Sequence, residues 1–111
     1  MNPAETLNFQ LQALANPVRL WIICELHRKG PQYVSELARS AGISRPLLKM
    51  HLRRLEDAEL VSCEVGTADN GKSAHFFQVT AFDLPLSPDM IAATNPEPLS
   101  LANGKKGTKD T

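Results

Sequence analysis

The sequence predicts a mainly α-helical fold that is completed by a small antiparallel β-hairpin. Apolar residues recur at helical spacing through most of the first 58 residues, and the spacing then changes to a period of two around Asn70-Gly71, a pair typical of hairpin turns. The 111 residues, 42% of them apolar, suit one domain with one core. Lys and Arg balance Asp and Glu at twelve each, so any charged site must come from local clustering.

The first helix is predicted over residues 4–15. Three leucines recur there at helical spacing: Leu7, Leu11 and Leu14. Together with the second helix, this stripe provides more apolar surface than one small domain can hide. We therefore expect the stripe to form most of a dimer interface.

A second helix is predicted over residues 18–28. Asn16 is a favourable N-cap, Pro17 suits the first helical position, and Gly30 suits the C-terminal cap. The helix is apolar on two sides, which indicates contacts on both. Trp21 is therefore either a core residue or part of the dimer interface.

Two further short helices form a predicted helix-turn-helix. The first covers residues 35–41 and ends at Gly42, and the second covers residues 44–58. Ser44 caps this fourth helix, and Pro46 lies in its first turn, where the missing N–H costs nothing.

The fourth helix has the character of a DNA-reading element. One face carries an apolar stripe that would anchor it: Leu48, Leu52 and Leu55. Other faces carry four basic residues with no acid between Ser44 and Leu55: Arg45, Lys49, Arg53 and Arg54. This is the arrangement that insertion into a DNA groove requires, although a merely solvated basic face is the alternative.

Individual roles follow from position along this helix. Arg45 lies near the helix start and is expected to pair with a guanine edge, and Ser44 beside it is a further candidate DNA contact. Lys49, Arg53 and Arg54 are better suited to phosphates. Leu47 either contacts a thymine methyl or packs against Leu11 or Leu14, and Met50 is a further exposed candidate for the DNA face.

A hairpin, the candidate wing, is predicted over residues 61–80. Val61, Cys63 and Val65 alternate with polar residues as in a half-buried strand, and the turn is expected within residues 66–72. The returning strand 73–80 is expected to point Phe77 and Val79 inward. The wing candidates are Lys72 and His75, although an ordinary exposed hairpin is nearly as good an interpretation. Of the two, Lys72, beside Gly71 at the tip, is the candidate phosphate contact.

The last predicted elements are short. Phe82, Leu84 and Leu86 suggest another extended segment, and Ser87-Pro88-Asp89 opens a helical turn over residues 90–93. Residues 94–111 contain Asn95-Pro96-Glu97-Pro98 and a polar end, which predicts a mobile tail.

No metal, cofactor or catalytic site is predicted. His27, His51 and His75 are scattered, and Cys24 and Cys63 are expected to be small buried hydrophobic residues; a redox switch is the alternative. No combination of residues indicates an enzyme. The absence of a visible secretory signal or a membrane-spanning run favours a cytoplasmic protein.

Three segments in order resemble the ArsR-type winged helix-turn-helix family: residues 14–20, 34–38 and 43–61. The resemblance implies a dimeric bacterial or archaeal transcription regulator whose fourth helix enters the major groove and whose hairpin touches flanking DNA. The metal chemistry of some relatives is not implied, because Tyr33-Val34-Ser35 lacks their Cys-x-Cys pair and the last helix, near Asp89, has no histidine.

The sequence therefore predicts a homodimeric, sequence-specific DNA-binding regulator, most simply a repressor, with no cofactor and no membrane contact. Residues 1–93 would form the winged helix-turn-helix domain with its N-terminal dimerisation helix. The alternative is a winged-helix module that binds a protein and does not read DNA. Zero net charge and the apolar Leu47 and Met50 favour that alternative.

Overall fold

The computed structural model describes residues 1–98. Its helices are α1 Pro3–Leu14, α2 Pro17–Lys29, α3 Val34–Ala41, α4 Arg45–Asp57 and α5 Pro88–Ala93. Its strands are β1 Gln32–Tyr33, β2 Val61–Thr67 and β3 Ser73–Val79. The fold is the predicted winged helix-turn-helix, and most of the tail predicted over residues 94–111 lies outside the described residues.

The chain forms two compact units. The larger unit, Gln10–Phe82, contains the helix-turn-helix and the hairpin. The smaller unit combines Met1–Phe9 with the chain from Asp83 onward and contains α5.

Local side-chain chemistry sets the helix ends where the sequence predicts them. The Asn16 side-chain oxygen accepts hydrogen bonds from the N–H groups of Val18 and Arg19 at 2.9 and 3.2 Å. The Ser44 hydroxyl accepts the N–H of Leu47 at 3.3 Å. Gly42 ends α3 with a φ of 72°, a left-handed conformation in which glycine has no Cβ penalty. These caps fix the turn between α3 and α4.

The core of the larger unit joins α2, α3, α4 and the base of the hairpin. Its fully buried large residues are Ile22, Leu26, Leu37, Leu48, Leu52, Leu55 and Leu60. Phe77 and Val79 of β3 pack against this core, as predicted. The leucine stripe of α4 is therefore the anchor that holds this helix on the domain.

The sheet has three antiparallel strands in the order β1-β3-β2. The hairpin pairs Val61 with Val79 and Thr67 with Ser73, so residues 68–72 form its turn. Strand β1, which pairs Gln32 with Phe77, is not predicted from the sequence. Two residues are too few to show a period.

The hairpin differs from prediction at Val65 and Gly66. Val65 is 69% exposed instead of half-buried, because it pairs with the exposed His75 where the hairpin extends beyond the core. Gly66 belongs to β2 and not to the turn. A Cβ at this glycine would lie 2.9 Å from the Phe76 ring, so the ring covers the glycine within the strand.

The extended segment predicted at Phe82, Leu84 and Leu86 is not a strand. The Phe82 N–H donates to the Thr80 carbonyl at 2.9 Å, and the Leu86 N–H donates to the Leu84 carbonyl at 3.0 Å. These tight turns satisfy the backbone locally, and Pro85 has no N–H to offer a neighbouring strand. The following helix α5 begins after the Ser87 cap, as predicted.

Candidate nucleic-acid interface

Helix α4 exposes all four of its predicted basic DNA contacts. Leu48, Leu52 and Leu55 are at most 1% exposed, whereas the basic side chains lie on exposed positions: Arg45, Lys49, Arg53 and Arg54. No acidic residue occupies the first turn, so the partial positive charge of the helix N-terminus is not neutralised there. The exposed face is therefore suited to a polyanion.

Apolar side chains lie among these basic residues. Leu47 is 42% exposed and Met50 is 39% exposed. Leu47 is thus not part of the buried core, which disfavours the interpretation that it packs against Leu11 or Leu14. The Arg54 Nε donates to the Met50 Sδ at 3.3 Å, so the two side chains support each other on the surface.

An open groove of about 370 Å³ separates the start of α4 from the hairpin. Arg45 and Lys49 line its α4 side, and His75 lines its hairpin side. The remaining lining residues come from β1, α3 and β3: Tyr33, Val34, Ser35, Ser73 and Ala74. The fold thus brings the helix and the wing to one surface, as the resemblance implies.

Sequence reasoning misses Tyr33, Ser35 and Ser73 at this surface. Tyr33 directly precedes α3, Ser35 lies in its first turn, and Ser73 begins β3. None of the three stands out in the sequence by its charge or its spacing. Only the pairing of β1 with β3, together with the edge-to-face contact of Tyr33 and Phe76 at 5.5 Å, brings these segments together. No local sequence signal could have located them.

The wing presents Lys72 at its tip. Lys72 is exposed in the turn 68–72, and its N–H donates to the Asn70 side-chain oxygen at 3.0 Å. Its carbonyl accepts the Ala68 N–H at 2.8 Å. The backbone of the tip is thereby ordered while the ammonium group of Lys72 is accessible.

A buried arginine connects the end of α1 to α4. The Arg19 Nε donates to the Ala13 carbonyl at 2.6 Å, and its Nη1 donates to the His51 Nδ1 at 3.0 Å. Since a guanidinium can only donate, His51 accepts through Nδ1, and its proton must lie on Nε2. His51, which is 5% exposed, is thus a structural residue.

Acidification is expected to destabilise this connection. Burial, and then the charges of Arg19 and Arg54, lower the pKa of His51 below its ordinary value of 6.5. The unfolded chain therefore binds more protons than the folded chain below about pH 6.5, so the free energy of unfolding should fall there. The loss should level off once the pH passes below the folded-state pKa.

Urea unfolding between pH 7.5 and about pH 5 measures this effect. His51→Gln should flatten the dependence, because glutamine retains an acceptor for Arg19 but does not titrate. His27→Gln, at an exposed histidine of α2, is the matched control and should keep the wild-type dependence. Equal pH dependence in both variants would show that the Arg19–His51 contact is not responsible.

The two cysteines are half-buried free thiols. Burial, followed by the charges of Glu56 and Glu64, raises the pKa of Cys63, and its Sγ lies 3.5 Å from the His75 Nδ1. A raised pKa keeps the thiol protonated and poorly reactive. This favours the interpretation of Cys63 as a packing residue over the redox switch.

The predicted dimer residues differ in exposure. Leu7 is only 6% exposed within the chain, and Leu11 is half-buried. Leu14 and Trp21 pack partly against the core. In the smaller unit, Phe9, Met90 and other large apolar residues are exposed instead: Met1, Leu86 and Ile91.

Within residues 1–98, no group of three or more His, Cys, Asp or Glu side chains is arranged to hold a metal ion. In the same part of the chain, every helix is too short or too polar to cross a membrane.

Comparison with known proteins identifies relatives of the whole helix-turn-helix region. Residues 16–62 match the model of the family described as "Bacterial regulatory protein, arsR family". An uncharacterized HTH-type transcriptional regulator of Methanocaldococcus jannaschii is 31% identical over 80 residues, which are 72% of this chain and 82% of the relative.

Solved structures share the fold. Reduced HlyU from Vibrio cholerae is 26% identical with a TM-score of 0.57, covering 81% of this chain and 82% of its own. NolR from Sinorhizobium fredii is 27% identical with a TM-score of 0.57, covering 83% of this chain and 80% of its own. The structural similarity therefore extends over about four fifths of the chain.

Proposed function

We propose a specific role for this chain, which belongs to the ArsR family of bacterial regulatory proteins and is thus a DNA-binding transcription regulator of the winged-helix type. It acts as a sequence-specific homodimeric repressor. Helix α4 would enter the major groove, and the hairpin would contact the flanking backbone. Occupation of a promoter site would block transcription. Its partner would be double-stranded DNA in the cytoplasm, and the proposal includes no catalytic step.

The observation that carries this proposal is the exposed, acid-free cationic face at the start of α4. Arg45 and Lys49 share a groove with the wing, and Arg53 and Arg54 continue the positive charge along the helix. Lys72 adds a further cation at the wing tip. The phosphates on both sides of a major groove could form ion pairs with the cations along this surface, whereas a neutral protein partner could form none.

Selection of duplexes from a random-sequence library by the full chain tests the proposal. We expect a recurring sequence to be enriched, as two half-sites about one helical turn apart if the protein binds as a dimer. A selection that enriches no sequence would contradict sequence-specific binding. The module that binds a protein partner would then be the better interpretation.

The smaller unit is the proposed source of the dimer contact. None of the residues of α5 is buried, and Met90 and Ile91 are 53% and 40% exposed. Phe9 on α1 adds a further apolar side chain. The smaller unit therefore offers Phe9, Met90 and Ile91 for the interface. The other residues predicted for this role, Leu11, Leu14 and Trp21, belong to the larger unit, and Leu7 has little free surface to contribute.

Sedimentation equilibrium should show twice the 12.2 kDa chain mass at tens of micromolar protein, on the order of usual assay concentrations. Met90→Asp should shift the equilibrium toward the monomer, because a buried unpaired carboxylate is costly. Val65→Asp, at an exposed apolar residue of the wing, is the matched control and should leave the mass unchanged. A wild-type monomer under these conditions would contradict the dimer.

A further inference from the structure

The face of α4 that points away from the core is apolar at its centre and cationic at its margins. At about 3.6 residues per turn, Met50 lies nearly opposite the buried leucine stripe. Leu47 and Pro46 are also exposed and precede Met50 by three and four residues, so the three are neighbours on the helix surface; we term them the apolar tip. Three of the cations lie on one side of Met50: Arg45, Lys49 and Arg53. Arg54 lies on the other side, about two turns after Leu47.

The apolar tip is held in place. The Arg54 Nε donates to the Met50 Sδ at 3.3 Å, which restricts a side chain that is otherwise flexible. The Ser44 cap and the buried Leu48 fix the backbone on which Leu47 stands. Because the tip is supported from several sides, it can act as a recognition surface of defined shape.

The chemistry of α4 limits what it can read in DNA. From Arg45 to Arg54 the helix contains no Asn or Gln, which pair with adenine, and no Asp or Glu, which accept from cytosine. Within this stretch two kinds of base contact are left: cations to the acceptors of guanine, and apolar side chains to the C5 methyl of thymine.

We infer that Leu47 and Met50 recognise thymine methyl groups, and that the selected DNA carries adjacent thymines next to a guanine contacted by Arg45. The inference rests on the proposed function, since it assumes that α4 enters the major groove. The cationic margins favour DNA over a protein as the occupant of the tip, because phosphate rows flank the thymine methyls in the groove. The apolar tip is then a determinant of specificity and not an obstacle to DNA binding.

Replacement of thymine by deoxyuridine tests this directly, because deoxyuridine lacks only the C5 methyl and pairs identically. The probe is the duplex enriched from the random library, with its thymines replaced one at a time. At each contacted position the wild-type chain should bind roughly fourfold more weakly, the change that corresponds to the burial of one methyl group. Thymines outside the contact should show no change.

Variants assign the effect to the tip. Met50→Ala and Leu47→Ala should weaken binding to the thymine duplex and remove the discrimination against deoxyuridine at their own positions. Their dependence on salt should match that of the wild type, because neither change removes a cation. Leu20→Ala, at a 54% exposed leucine of α2, is the matched control and should keep the full discrimination.

The outcomes separate the inference from the proposed function. Tight, selective binding that is insensitive to every deoxyuridine replacement would overturn the inference and leave DNA binding intact. Discrimination that survives in both tip variants would overturn it as well. Failure of the library to yield any enriched duplex would overturn both and would favour a protein as the partner of the tip.

Discussion

Leu52→Ala is expected to lower the free energy of unfolding by about 2–5 kcal/mol, the range for a fully buried leucine that leaves a cavity. Leu52 is 1% exposed and belongs to the cluster that anchors α4 on the core. The loss approaches the whole stability of a small domain. Urea unfolding followed by circular dichroism measures it.

Leu47→Ala is the matched control on the same helix. Leu47 is 42% exposed, so its truncation should change the free energy of unfolding by no more than about 0.5 kcal/mol. Equal destabilisation by the two changes would mean that Leu47 is packed as tightly as Leu52, and the description of the exposed face of α4 would be wrong.

Arg45→Ala is expected to cost about 1–3 kcal/mol on the selected duplex and to flatten the preference at one base pair. Arg45 lies in the first turn of α4, where side chains of a recognition helix reach base edges. Affinity for a scrambled duplex should change much less. Fluorescence anisotropy on both duplexes measures the difference.

Arg53→Ala should act differently, because Arg53 lies about two turns further along α4, where a phosphate is the nearer partner. It should weaken binding to selected and scrambled duplexes alike and reduce the salt dependence by about one unit. Both variants should remain folded, since both arginines are exposed. Equal loss on both duplexes for Arg45→Ala would make Arg45 a backbone contact and not a base reader.

Much of the fold is predictable because its signals are local. The Asn16 and Ser44 caps, the glycine after α3 and the leucine stripe of α4 each act within a few residues along the chain. The resemblance to the ArsR family rests on the same segments, and the match over residues 16–62 confirms it. Fold and family thus follow from short-range patterns.

The features that escape prediction depend on residues distant in sequence. Arg19 and His51 are 32 positions apart, and a buried arginine runs against the usual preference of this residue. The strand at Gln32 and Tyr33 exists only because β3 returns beside it. Alternation marks Val65 as inward, but the length of the hairpin beyond the core decides its exposure.

The candidate site shows the same division. Its cations are evident in the sequence, and the structure places Arg45, Lys49 and His75 around one groove. The contribution of Ser35 and Ser73 to that groove follows only from the sheet. In the sequence, the apolar character of Met50 counts against DNA binding. In the structure, Met50 lies at the centre of an exposed face that has no acidic residue, where it can contact a thymine methyl group.

NMR mapping of backbone amide chemical shifts on the full chain tests most directly whether the exposed face of α4 binds DNA. The selected duplex is titrated into isotope-labelled protein while amide NMR signals are followed. We expect the largest changes on α4, from Arg45 to Arg54, and on the wing turn 68–72. Changes confined to the smaller unit, or no changes at saturating DNA, would contradict DNA binding by this face.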